Sequence, residues 1–238
     1  MLDTFSKYIG LPKKFVGTTL YGKDRSVYYN KIEIPKRNGK VRVLHAVSGK
    51  LKYLQTKTYE KLSSDFQPST FAKAFVKGGG IIEHAKIHRN KKLIISFDIK
   101  DFFPSITFAR VQGMFKKYPF SFDGNWATYL AQICCLENNG PIPQGGVTSP
   151  YVSNMLCRKM DSRFSKLAIK EKLHYSRYAD DLTFSSNKFI NIEKIKKWVE
   201  EVVNDEGFHL NHDKTRVLKK HQRQIVTGIV VNNGLNVN

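Results

Sequence analysis

Residues 174–185 read HYSRYADDLTFS. Two short runs rich in β-formers flank Ala179-Asp180-Asp181, so the segment predicts a hairpin with two carboxylates at its tip. Taken alone, such a tip is most simply a solvated turn. A second stretch changes the reading. Residues 93–103, LIISFDIKDFF, open with a short apolar run that predicts a buried strand, and Asp98 stands where that run ends. Carboxylates at the edge of a core meet desolvation and mutual repulsion, and a divalent cation offsets both. Mg²⁺ favours one or two carboxylates plus substrate phosphates over an all-protein cage. Two such ions about 3.5–4 Å apart can activate a hydroxyl and stabilise the leaving oxygen of an in-line phosphoryl transfer. That chemistry needs carboxylates from two strands meeting at one point, and Asp98 and Asp180 are the candidates.

Working outward, residues 31–44 (KIEIPKRNGKVRVL) predict a basic hairpin turning at Asn38-Gly39, the strongest short hairpin signal. Ser48 is placed to cap a partly buried helix over 51–62. Glycines 78–80 mark a flexible break. Helices are predicted over 106–118, 125–135, 151–167 and 192–204, with a breaker-rich loop, PIPQGGVTSP, at 141–150. Residues 216–218 and 224–231 read as closing strands. Helices mixed with antiparallel hairpins make the fold class α+β.

The 238 residues carry 40 Lys+Arg against 20 Asp+Glu, a net charge of +20. Such an excess concentrates polyanions and speeds their capture. No apolar run is long enough to span a bilayer and no signal-peptide pattern opens the chain, so nucleic acid is favoured over membrane as the partner. The three cysteines, Cys134, Cys135 and Cys157, fit neither a disulfide framework nor a zinc spacing; buried thiols in a reducing cytoplasm are expected. His84 and His88, four apart, could share a helix face, without the second ligand pair that zinc would need.

FDIKDFFPSI, PQGGVTSP, YADD and GFHLNHDKTRV follow one another in the order and spacing of the palm motifs of reverse transcriptases. The chain resembles that family over about 34–231. The resemblance implies a right-hand polymerase fold, an antiparallel palm sheet packed on helices plus fingers. Fingers would comprise 1–93 and 119–146, palm 94–118 and 147–238. It assigns two Mg²⁺ ions, with Mn²⁺ a possible substitute, to Asp98, Ile99, Asp180 and Asp181. Lys214 matches a lysine near the leaving pyrophosphate, a possible general acid. Lys100, Asp101 and Phe102 match positions whose backbone N–H groups face the triphosphate. Phe103 matches an aromatic that excludes a ribose 2′-hydroxyl, a role compatible with plain core packing. Gln144 and Gly145 match the loop bordering nucleotide and template, and Lys36 and Arg42 match fingers cations that grip the triphosphate. The basic cluster around Lys86, His88 and Arg89 could track an RNA backbone or simply be a solvated face.

His84-Ala85-Lys86-Ile87-His88 resembles the Asn-Ala-x-x-His element of retron enzymes, with His84 in place of Asn, and Val226-Thr227-Gly228 matches their Val-Thr-Gly. This implies a bacterial retron-type enzyme in antiphage defence. Such an enzyme copies a structured non-coding RNA from a guanosine 2′-hydroxyl, uses deoxynucleoside triphosphates and holds an RNA/DNA hybrid. Family members continue past Val-Thr-Gly into a helical thumb; here the thumb is expected to be absent, and a protein partner or subunit to take its place. Two further readings stay open: a relative making untemplated or protein-primed DNA, with eleven tyrosines available as primers, and a non-catalytic RNA-binding scaffold.

Overall fold

The computed structural model describes residues 1–22, 24–35, 39 and 41–237. Along the chain run α1 (Leu2–Tyr8), α2 (Lys13–Tyr21), β1 (Tyr29–Pro35), β2 (Val41–Val47), α3 (Gly49–Asp65) and α4 (Ile81–Ile87). β3 (Leu93–Asp98), α5 (Phe108–Lys116), α6 (Gly124–Cys134), α7 (Ser149–Leu156), α8 (Arg158–Lys170), β4 (His174–Tyr178) and β5 (Asp181–Ser186) follow. α9 (Ile192–Asp205), β6 (Arg216–Lys219), β7 (Ile225–Val226), β8 (Ile229–Val230) and β9 (Asn236–Val237) complete the chain. It divides into two compact units, 1–67 with 103–156 and 68–102 with 157–238. These units are defined by packing and cut across the finger and palm boundaries that the resemblance implies.

The first unit holds the β1–β2 hairpin, whose register pairs Tyr29 with Val47 and Ile34 with Arg42. Its helices are joined by buried polar ties. Gln55 on α3 donates to the Ile133 carbonyl at 2.8 Å and accepts from the Val147 amide at 2.9 Å. The Tyr151 hydroxyl lies 2.9 Å from the carbonyls of Leu62 and Phe66. Asp123 caps α6, its carboxylate accepting from the amides of Asn125 and Trp126. Ser48 does stand at the start of α3, but its hydroxyl turns to the Tyr28 carbonyl instead of capping the helix.

The second unit is built on an antiparallel sheet of order β4-β5-β3-β6. β3 is central, and Ile94, Ile95 and Phe97 are buried, as an apolar run covered on both sides should be. On one face Phe184 and Tyr175 pack against Phe164 of α8. On the other, Ile94 joins Ala85 of α4 with Val226, Ile229 and Val231. The helix expected over 151–167 is two, α7 and α8, broken at Cys157, whose ψ of −3° leaves the helical range. The break coincides with the boundary between units.

Candidate active site

The register of the second unit's sheet decides where the carboxylates go. Asp98, last residue of β3, is the direct cross-strand partner of Asp181, first residue of β5. Directly paired residues place their side chains on one face, close together. Asp180 sits beside them in the two-residue turn between β4 and β5, whose outer pair is Tyr178 and Asp181. The Ile99 amide donates to the Asp180 carbonyl at 3.0 Å, so the turn is pinned to the end of β3. Two residues here have left-handed backbones without being glycine: Ala179 at φ +55° and Asp101 at φ +47°. Such conformations persist only where neighbours enforce them, and they collect at functional sites.

At Ala179 the enforcing neighbour is Arg177. Its guanidinium is fully buried, donates Nη1 to the Ala179 carbonyl at 3.1 Å, and forks onto Asp161 through Nε and Nη2 at 2.9 and 2.8 Å. The Tyr175 hydroxyl donates to the same carboxylate at 2.7 Å. Arg177, Asp161 and Tyr175 were not among the residues singled out from sequence. Arg177 directly precedes Tyr178-Ala179, but nothing in the pattern of α8 marks Asp161 as its partner.

Asp98 is almost buried, and both its oxygens accept from Lys214 Nζ, at 3.0 and 2.9 Å. Lys214 reaches it from a short 3₁₀ turn, His212–Lys214, and the Asn211 amide donates to the Asp98 carbonyl. Burial pushes the Asp181 carboxyl up to about 7; Asp180 and Asp98 add to the rise, and Lys214 and Arg216 oppose it. A desolvated set of hard oxygen donors repelling one another suits a divalent cation. In this arrangement the Lys214 ammonium neutralises Asp98, and among the described residues no three His, Cys, Asp or Glu groups converge in coordinating geometry. A cation held there would share the Asp98 carboxylate with Lys214 or displace it.

The remaining expected residues fall variously. The Lys100 amide, assigned to a triphosphate, donates instead to the His209 carbonyl at 2.8 Å, because residues 99–100 continue the β3 pairing toward Leu210. Phe102 is buried, its ring stacked on Phe208 at 5.6 Å. His88, expected to face RNA, is a correction: it is fully buried, with ring nitrogens 2.8 Å from the hydroxyls of Ser185 and Ser176. His84 is its counterpart, 3.2 Å from Thr183 and 3.0 Å from Ser176. The two histidines clasp α4 to the sheet, which accounts for a histidine at position 84. Lys86 and Arg89 are exposed, Lys86 paired with Glu83.

Phe103, Gln144, Gly145 and Arg42 belong to the first unit. Phe103 and Gln144 are half-buried and Arg42 is exposed on the hairpin. The His45 amide donates to the Gln144 carbonyl at 2.7 Å, and a Cβ on Gly145 would stand 3.1 Å from the His45 carbonyl oxygen. Gly145, at φ +108°, is therefore required by the loop's approach to β2. Lys36 lies outside the described residues. In the second unit a cleft of about 460 Å³ between α9 and the sheet is lined by Phe97, Glu193, Lys197, Glu200, His212 and Val217. Asp98, Asp180 and Asp181 do not line it.

The family model described as reverse transcriptase (RNA-dependent DNA polymerase) matches residues 34–230, which include every residue of this cluster. The chain belongs to the reverse transcriptase family. Among curated reverse transcriptases it is 34% identical to the retron Mx65 enzyme of Myxococcus xanthus, over 90% of this chain and 53% of that one. It is 34% identical to the retron Mx162 enzyme of the same organism, over 88% and 48%. The retron Ec86 enzyme of Escherichia coli is 31% identical, over 81% and 59%. The chain thus spans about half the length of these relatives. Solved telomerase structures share its fold. The telomerase of Candida albicans, in complex with a fragment of telomeric RNA, superposes with a TM-score of 0.60 at 11% identity, covering 88% of this chain and 46% of that one. Truncated apo telomerase of Candida tropicalis gives 0.58 at 13%, covering 88% and 55%. The mixed α and antiparallel β architecture expected from sequence is thereby that of a reverse transcriptase.

Proposed function

We propose that this chain is the fingers-and-palm part of an RNA-directed DNA polymerase of the retron type. It copies a structured non-coding RNA into DNA from deoxynucleoside triphosphates, in antiphage defence. The observation that carries the reading is the pairing of Asp98 with Asp181 across the sheet, Asp180 beside them, inside the family match. Asp98, Asp180 and Asp181, with the main chain of Ile99, would hold Mg²⁺ or Mn²⁺. Bound there, such ions lower the barrier to in-line phosphoryl transfer. Arg177 holds the turn that presents Asp180. Lys214, once released from Asp98, carries an ammonium able to give a proton to departing pyrophosphate. A gate at Phe103, a grip on triphosphate by Arg42, and contacts from Asp101, Gln144 and Gly145 rest on the family resemblance. Three buried free thiols fit a reducing, cytoplasmic setting, and among the described residues no helix is long and apolar enough to cross a membrane.

Primer extension on an RNA template, with Mg²⁺ and deoxynucleotides, tests the reading beside Asp180→Ala. Extension by the parent chain that disappears in the variant is expected. Extension that survives Asp180→Ala overturns the assignment of these carboxylates.

A further inference from the structure

The second unit's sheet has two unlike ends. Asp98 and Asp181 lie at one. At the other, β3 begins at Leu93, which pairs with Ser186 of β5 and Lys219 of β6, while His174 of β4 pairs with Ser185. Five residue steps of strand separate the two ends, about 17 Å. The four chain segments that reach the far end, 84–97, 172–179, 182–192 and 214–237, contain no Asp or Glu at all. They bring Arg89, Lys92, Lys172, Lys188, Lys219 and Lys220 there, all exposed.

Their backbones are fixed where they meet. The Lys92 amide donates to Asn187 Oδ1 at 2.9 Å. Ser186 Oγ donates to the Lys172 carbonyl at 3.2 Å and accepts from the Lys188 amide at 3.0 Å. Lys91 Nζ lies 2.9 Å from His174 Nε2. The acids that adjoin these segments in sequence are paired with other lysines, Glu83 with Lys86 and Glu171 with Lys194, and cations gathered at one end of a sheet attract a polyanion. Next to Lys188, Phe189 is 100% exposed. A phenyl ring left wholly in water beside lysines is what a stacking platform for an unpaired base requires.

We propose that this acid-free end of the sheet is an RNA anchor, separate from the carboxylate site. Its lysines and Arg89 grip the phosphate backbone of a structured RNA, and Phe189 stacks on an unpaired base beside the duplex. This deepens the polymerase reading and rests on it for the identity of the nucleic acid. An anchor about 17 Å from the carboxylates lets the chain hold one part of an RNA while another part moves past the site as template.

The test uses the full chain and two RNA hairpins, with and without an unpaired tail, in a salt series followed by fluorescence anisotropy. In the variant Lys92→Gln/Lys219→Gln/Lys220→Gln, binding weakens about tenfold, and the slope of log Kd on log salt falls by about one for each phosphate no longer gripped. Lys13→Gln/Lys14→Gln/Lys52→Gln, which removes the same charge from exposed positions of the first unit, changes both far less. Phe189→Ser weakens the tailed hairpin about fivefold or more and spares the untailed one. Equal losses in the two triple variants, or unchanged binding in the first, overturn the anchor; in the second case the surface falls to an acidic protein partner. Extension of a short DNA-primed template is unaffected by the triple variants, so failure of the polymerase reading and failure of the anchor are read in separate assays.

Discussion

At the scale of single residues, the candidate site depends on a buried arginine that no catalytic motif includes. Arg177, Asp161 and Tyr175 form a closed set in which each polar atom of the carboxylate is used. Removing either charged member strands the other as a buried charge. Arg177→Met is expected to destabilise the chain by about 3–5 kcal/mol, read as a fall in the urea midpoint. Adding Asp161→Leu should recover most of that loss, because an apolar pair needs no hydration. With stability restored, extension activity should stay low, since the Ala179 carbonyl still lacks its donor. Full activity in the double variant would separate Arg177 from the placement of Asp180. Asp98, Asp180 and Asp181 were legible in the sequence because short motifs carry them. Arg177 was not, because its partner, Asp161, comes from helix α8.

Among the elements, α4 and the loop at 141–148 show what local patterns reveal and conceal. The pattern at 84–88 marked two histidines on one face, and α4 is a helix there. It did not show that the face is turned inward, which depends on strand hydroxyls almost a hundred residues away in sequence. Burial lowers the His84 pKa from 6.5 to about 4, and that of His88 well below its ordinary value. The unfolded chain takes up both protons near pH 6.5, while the folded chain does not. Their contribution to stability is therefore complete above pH 6.5 and is lost as pH falls toward 4, about 3 kcal/mol for His84 alone. Urea midpoints at several pH values should fall through that window, and less steeply in His84→Gln. In the loop, Gly145→Ala would force a Cβ against the His45 carbonyl at a positive φ. A loss of about 1–3 kcal/mol is expected, measured the same way.

For the whole molecule, the order of predicted helices and hairpins gave the fold class, mixed helices and antiparallel strands, and composition gave the net charge of +20. What it could not give was distribution. Forty cations on 238 residues look uniform in a count; only the register of β3 with β5 and β6 gathers some of them at one end of a sheet, because pairing joins segments far apart in sequence. The same excess stresses the folded state through self-repulsion. Raising salt from low to physiological strength should therefore raise Tm in the absence of nucleic acid, as screening shortens the reach of the repulsion. A Tm that falls would show that attractive ion pairs, such as Arg163 with Asp205 and Glu206, outweigh it.

The contact between Lys214 and Asp98 has a consequence for how such a protein can be handled and stored. Lys214 gives Asp98 a tethered counter-ion, so the folded state is expected not to depend on a dissolved one. Chelation should then leave Tm where it was and abolish only turnover, restored on adding Mg²⁺ back. In Lys214→Met the tether is cut: the carboxylates would face each other bare, and the same chelator should now lower Tm.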